Sequence, residues 1–166
     1  VQGLVTHCTD ELRTLSPASN VVLHLVPGAL EIPFVVREVA LKKNVDAIIA
    51  LGVILEGETA HAQLLGQVVT NALQEISLEH GVPVIHAVLS LKSEAQARKR
   101  CLEKETNRGK EAARAASERA NPIAALRTQV WASDVPRAAQ RRTTICGRFL
   151  MAAPRPQGTE EPGAGA

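Results

Sequence analysis

Apolar and polar residues alternate along this chain with two different periods. Apolar side chains recur every third or fourth residue from Leu4 to Leu15, which is the spacing of an amphipathic helix. A run of β-branched and aliphatic residues, Val21–Val26, follows and has the length of a buried strand. Both patterns then repeat. They predict helices over 1–15, 31–43, 59–80 and within 93–120, and strands over 21–26, 45–53 and 82–89.

The predicted strands are apolar at consecutive positions, so both of their faces must be covered. Such strands are typical of parallel sheets with helices on each side. The alternation of helices and strands therefore predicts an α/β fold. A chain of 166 residues that is 45% hydrophobic can bury the core of one domain of ordinary size.

Charge and aromatic content exclude a dedicated nucleic-acid surface. Residues 1–120 carry 13 Lys and Arg against 14 Asp and Glu, whereas 121–166 carry 6 Arg against 3 acidic residues. Binding to phosphate backbones needs clustered basic residues, and base stacking needs aromatic platforms. Phe34, Trp131 and Phe149 are too few for such a platform.

The cysteine spacing and the hydropathy of the chain predict its cellular compartment. Cys8, Cys101 and Cys146 form no C-x-x-C pair, so neither a disulfide framework nor a zinc site is predicted. The chain contains no run of 18 apolar residues and no leader pattern. These features predict a cytoplasmic protein.

The residues that follow the predicted strands carry the candidate chemistry, because ligands of α/β sheets bind beyond the carboxyl ends of strands. Gly57-Glu58-Thr59 leads into a predicted helix whose free N–H groups and dipole suit an anion such as phosphate. A helix N-cap is the structural alternative for Thr59. His61, in the first turn, has an imidazole suited to proton transfer near neutral pH.

Four motifs in register resemble the lumazine synthase family. They are Pro27-Gly28-Ala29-Leu30-Glu31-Ile32-Pro33, the loop from Leu51 to His61, Gly81-Val82-Pro83-Val84-Ile85, and Arg100 followed by Asn107-Arg108-Gly109. The resemblance implies a three-layer α/β/α, flavodoxin-like fold with a parallel sheet of order 2-1-3-4. It divides the chain into a lumazine synthase domain over 1–126, which lacks its first strand, and an atypical, largely disordered tail over 127–166.

The resemblance also implies an activity. Lumazine synthases condense 5-amino-6-ribitylaminouracil with 3,4-dihydroxy-2-butanone 4-phosphate to form 6,7-dimethyl-8-ribityllumazine in riboflavin biosynthesis. They use no cofactor or metal, and they work as homopentamers or assemblies of pentamers with sites between subunits. Riboflavin synthase is a further partner that the resemblance implies.

Site residues follow from the resemblance position by position. His61 matches the catalytic residue, and Arg100 matches an arginine that clamps phosphate from a neighbouring subunit. Gly57, Glu58 and Thr59 complete the implied phosphate site. The implied pyrimidine and ribityl contacts are Ala29, Leu30, Glu31, Val53, Ile54, Leu55, His86 and Arg108.

Several of these residues also have structural interpretations or depart from the family pattern. The structural interpretation of Arg100 is an exposed helix residue within a run of charges. That of Glu31 is stabilisation of the helix dipole at the helix start. Glu58 brings a negative charge to the implied phosphate site. The other departures are Leu30 and His86, which replace frequent aromatics, and Arg108, which replaces a frequent Lys.

The N-terminus departs further from the family. Lumazine synthases begin with a central strand that ends in an R-[FY]-N segment, and this chain begins at the following helix. Without that strand the sheet is expected to have a gap beside Val21–Val26 and 45–53, with open hydrogen-bonding edges. The 166-residue chain is therefore expected to be poorly soluble or inactive until a strand is supplied.

Two other functions remain as alternatives. The chain could be an inactive or structural lumazine-synthase-like subunit. Another flavodoxin-like module, such as a flavin-binding protein or a phosphoacceptor receiver, is disfavoured because stacking aromatics and an Asp cluster at the first strand end are absent from the sequence.

Overall fold

A computed structural model describes residues 1–118 and 142–148. Helices and strands alternate through the first of these ranges, as the hydrophobic periodicity predicts. The helices are α1 (Gln2–Leu15), α2 (Glu31–Leu41), α3 (His61–His80), α4 (Glu94–Leu102) and α5 (108–118, at the end of the range). The strands are β1 (Asn20–Val26), β2 (Ala47–Leu55), β3 (Val84–Leu91) and β4 (Arg142–Arg148).

Several element boundaries differ from the sequence prediction. β2 and β3 each begin and end two residues later than predicted, α2 ends two residues earlier, and α3 begins two residues later. The further helix predicted within 93–120 consists of two helices, because the chain leaves helical geometry at 103–107. Ser93 begins α4, where its hydroxyl accepts a hydrogen bond from the Gln96 N–H at 3.2 Å.

The four strands form one parallel sheet in the order β1-β4-β2-β3. In the family's numbering, β1, β2 and β3 of this chain correspond to strands 2, 3 and 4. The position of the family's strand 1, between β1 and β2, is occupied here by β4. The α/β class and the predicted strand order are therefore confirmed.

The expected gap in the sheet is not present, because β4 occupies it. Asn20–Val26 pairs with Arg142–Arg148, and Ala47–Leu51 pairs with Thr143–Gly147. Ile145 and Thr144 are buried, one on each face. This strand lies inside the predicted disordered tail; the rest of 127–166 lies outside the described residues.

Helices pack on both faces of the sheet and form two apolar layers. α2 and α3 cover one face, and α1, α4 and α5 cover the other. The side chains of β2 alternate between them, with Ile48 in the first layer and Ile49 in the second. This two-sided burial explains why the strand has no polar face. Within the described residues, no helix is long and apolar enough to cross a membrane.

Polar contacts tie α5 to α1 along one part and to α4 at its start. Ser117 Oγ lies 3.2 Å from Ser16 Oγ, and the Arg114 Nε–H donates to Glu11 Oε1 at 2.7 Å. The Arg114 hydrogen bond lowers the pKa of the Glu11 carboxyl. At the other end, the Asn107 amide accepts a hydrogen bond from the Gly109 N–H and donates one to the Cys101 carbonyl.

Two buried thiols take no part in this polar network. Burial raises the pKa of the Cys8 thiol to about 12 and also raises the pKa of the Cys101 thiol. Both side chains are free and pack in the layer of α1, α4 and α5. They stay protonated and therefore act as apolar core groups rather than nucleophiles.

Candidate functional site

At the carboxyl edge of the sheet, β4 ends lower than β2, which leaves a notch between the end of β1 and the end of β2. Two of the predicted motifs lie on the two sides of this notch. The pairing of β4 ends at Val26 on one side and at Leu51 on the other. β2 continues for the four residues 52–55, which pair only with β3 among the described residues. Since β4 ends one residue after its last pair with β2, at Arg148, β2 extends three residues beyond the end of β4, or about 10 Å at about 3.3 Å per residue.

The first wall of the notch is the turn between β1 and α2. Ala29 is buried, Leu30 is 55% exposed, and Glu31 begins α2 as an exposed residue. The Glu31 carboxylate lies against the backbone of Gly28, where a Cβ atom would collide with Oε2. The motif therefore presents a carboxylate beside the strand end, although this flexible side chain can also move away from the Gly28 backbone.

The second wall is the end of β2, where the side chains of the predicted apolar contacts point alternately to the two faces of the sheet. Val53 and Ile54 are buried, and Leu55 is 41% exposed. Below them, a side chain at Gly52 would press on Ile32 of α2 and Val88 of β3. The glycine therefore lets the first turn of α2 approach β2 and brings the two walls close together.

The loop that leaves β2 ends at the start of α3. Gly57, Glu58 and Thr59 are all exposed, and His61 is the exposed first residue of the helix. Ala60 is the N-cap, and no side chain caps this end. The N-cap interpretation of Thr59 is therefore wrong: the first turn has no side-chain acceptor, which suits an anionic ligand.

His86 lies on the edge strand β3, away from the notch, and contacts α3. Its Nδ1 accepts a hydrogen bond from the Val88 N–H at 3.1 Å, so the ring proton belongs on Nε2. Nε2 then donates to Thr70 Oγ1 at 2.8 Å, and this hydroxyl donates to the Gly66 carbonyl at 2.7 Å. Partial burial of the ring lowers the pKa of His86, which favours the same neutral form.

Arg100 and Arg108 lie on the other helix layer. α4 and α5 meet the first turn of α1, where Gly3 abuts the Cys101 carbonyl and Gly109 abuts the Leu4 carbonyl. Within one chain the sheet therefore separates both arginines from the walls that carry Glu31 and His61.

The two arginines differ in their ionic partners. Arg108 is paired with Glu111 on the surface of α5. Arg100 forms no ion pair within the described residues, whereas Arg98 on the same helix pairs with Glu94 at 2.6 Å. No group of three His, Cys, Asp or Glu side chains in the described residues could hold a metal ion.

The sequence prediction missed two features near these residues. One is β4, whose run Thr143-Thr144-Ile145 is β-branched but stands among Arg, Ala and Pro residues that obscure it. The other is the Thr70 partner of His86, because no periodicity shows which helix residue will face a given strand residue.

Comparison with known proteins places these motifs in a family. Residues 1–123 match the family described as 6,7-dimethyl-8-ribityllumazine synthase. A lumazine synthase of Leptothrix cholodnii is 43% identical over 121 residues, which cover 72% of this chain and 76% of the relative. That of Nitrosospira multiformis is 40% identical over 121 residues, covering 72% and 73%. That of Paraburkholderia phymatum is 41% identical over 125 residues, covering 75% and 70%. This chain therefore belongs to the 6,7-dimethyl-8-ribityllumazine synthase family.

Proposed function

We propose that this chain condenses 5-amino-6-ribitylaminouracil with 3,4-dihydroxy-2-butanone 4-phosphate to give 6,7-dimethyl-8-ribityllumazine. The observation that carries the proposal is the notch, which has a carboxylate wall at Glu31 and an uncapped helix start beside His61. One wall suits a polyhydroxylated chain, and the other suits a phosphate next to a proton-transfer group. The reaction joins two molecules with these features.

Proton transfer is the role proposed for His61. Imine formation from the amine and the ketone releases water, elimination releases phosphate, and ring closure releases a second water. Each step moves protons between nitrogen, carbon and oxygen, and an exposed imidazole at the helix start can accept and return them. No oxidant or reductant is needed, because phosphate and two waters balance the two substrates against the product.

Binding is divided between the two walls. The Glu31 carboxylate accepts hydrogen bonds from ribityl hydroxyls, and Val53, Ile54 and Leu55, with Ala29 and Leu30, contact the pyrimidine. The phosphate lies at Gly57-Glu58-Thr59, where the first turn of α3 offers backbone N–H groups. The exposed Glu58 side chain can turn toward solvent, which limits its repulsion of the phosphate.

A neighbouring copy supplies the remaining groups in this proposal. Arg100, Arg108 and His86 lie away from the notch of their own chain, so they complete the notch of another copy. Exposed apolar side chains support an interface on α3, where Leu64, Val68 and Leu78 are 65%, 55% and 74% exposed. We propose a homopentamer or an assembly of pentamers, located in the cytoplasm. Association with riboflavin synthase stays a prediction.

The test is a lumazine-forming assay on the purified 166-residue chain with both substrates. Product absorbance and phosphate release should rise together in a ratio of one to one. Each substrate alone is the control. Phosphate release without lumazine, or no turnover by a folded assembly, would contradict the proposal and favour an inactive structural subunit.

A further inference from the structure

The strand that completes the sheet lies outside the part of the chain that matches the family. The match covers residues 1–123, and β4 covers Arg142–Arg148. It nevertheless takes a central place, with parallel partners on both sides. A central strand is more constrained than an edge strand, because hydrogen bonds on both edges depend on its register.

β4 sets the distance between the two walls of the notch. Leu25, Gly147 and Leu51 are level across three neighbouring strands, so β1 and β2 stand two strand spacings, about 10 Å, apart. If β1 and β2 paired directly, that distance would fall to about 5 Å. The wall with Glu31 would then close on the wall that leads to His61.

The burial of two side chains fixes the register in which β4 pairs with its neighbours. Ile145 is fully buried among the side chains of α1, α4 and α5, and Thr144 on the opposite face is 2% exposed. A slip of one residue would exchange the two faces and place Thr144 or Cys146, depending on its direction, in the position of Ile145. The register is therefore specified by the core.

The same chain can deliver this strand. Ser117 lies beside Ser16, which is four residues before the start of β1, and Asn20 at that start pairs with Arg142. The connection 119–141 contains 23 residues. At up to about 3.3 Å per residue it is far longer than this short path requires. A long connection favours docking within one chain over exchange between chains.

We propose that Arg142–Arg148 is the positioning strand of the notch, docked in its own chain between β1 and β2. It holds the wall with Glu31 and the wall leading to His61 two strand spacings apart. Its effect on turnover rests on the proposed function, whereas its placement and register can be tested separately.

Cysteine cross-linking reports the register directly. His24 is the β1 partner of Cys146, and Leu23 is the partner of Ile145. Aligned Cα atoms of neighbouring strands are about 5 Å apart, which a disulfide can span. In full-length His24→Cys, mild oxidation should join position 24 to Cys146 within one chain. Leu23→Cys, whose side chain points to the opposite face, is the matched control and should stay unlinked.

Turnover in the two redox states tests the positioning role. Oxidised and reduced His24→Cys should have kcat/KM values for both substrates within about tenfold of each other, because the disulfide locks the working register. Equal linkage in Leu23→Cys, linkage between chains, or a loss above tenfold in kcat/KM on oxidation would overturn the proposal. A register-specific link without lumazine formation in either state confirms the strand's placement and overturns the proposed function instead.

Discussion

His61 is the residue on which proton transfer depends in the proposed reaction. Its side chain is exposed at the first position of α3, so alanine there removes the imidazole without opening a cavity. We expect His61→Ala to lower kcat by about 10²–10⁴-fold while the circular dichroism spectrum is unchanged. Gln63→Ala, in the same exposed turn, is the control and should keep its activity. Unchanged kcat in His61→Ala would remove His61 from the mechanism.

Arg100 differs from its neighbour Arg98 in having no ionic partner among the described residues. Removing a charge-assisted hydrogen bond to phosphate costs about 1.5–3 kcal/mol, or roughly tenfold to a hundredfold in affinity. We expect Arg100→Ala to raise KM for the butanone phosphate by that factor and to leave KM for the pyrimidine nearly unchanged. Arg98→Ala should alter neither value. A similar rise in both KM values for Arg100→Ala would contradict a phosphate contact.

The lowered pKa of His86 predicts a pH effect with a definite sign. The folded state favours the neutral ring, and the unfolded chain takes up a proton near pH 6.5, the ordinary value. Below that pH the unfolded state binds more protons, so the free energy of unfolding falls until the folded pKa is passed. Urea titrations from pH 7.5 to 5 should show this fall. His86→Gln should reduce the pH dependence, and an identical dependence in both proteins would refute the assignment.

Two glycines at the ends of elements should respond differently to alanine. A Cβ on Gly109 would collide with the Leu4 carbonyl where α5 meets α1, whereas nothing lies within 4 Å of a Cβ on Gly57. We expect Gly109→Ala to lower the free energy of unfolding by about 1–3 kcal/mol, as overpacking does. Gly57→Ala should leave it nearly unchanged. Chemical denaturation of both variants measures the difference, and equal stabilities would show that α5 can shift freely.

At the scale of the whole molecule, the proposed assembly places the apolar residues on the outer face of α3 in contact with a neighbouring copy. Val68 is 55% exposed, and Gln67 beside it is also exposed. A glutamate at position 68 would bury an unpaired charge in such a contact. Light scattering coupled to size exclusion should show a smaller assembly for Val68→Glu than for Gln67→Glu. Assemblies of equal mass would place the interface elsewhere.

β4 also changes the solubility expected of the whole molecule. The expectation of poor solubility rested on open edges beside β1 and β2, and both edges are paired with β4. This particular reason for aggregation is thereby removed, and the solubility of the chain stays a prediction. The expectation of inactivity had the same basis, and the lumazine-forming assay decides it.

The sequence by itself determined the α/β class, the order and approximate positions of the elements from α1 to β3, and the motifs at the strand ends. These depend on local periodicity and on short spacings, both of which are visible in one dimension. It also predicted where the central slot lies, because the family order 2-1-3-4 leaves one place between β1 and β2.

Only the tertiary structure decided what fills that slot and which site residues share one side of the sheet. Thr143-Thr144-Ile145 forms a strand because it pairs with the edges of β1 and β2 and packs between two helix layers. Such non-local partners cannot be recognised in a short sequence window. Likewise, the separation of Arg100 from His61 follows from helices packing on opposite faces. Side-chain neighbours across a sheet depend on crossover connections, which the spacing along the chain does not encode.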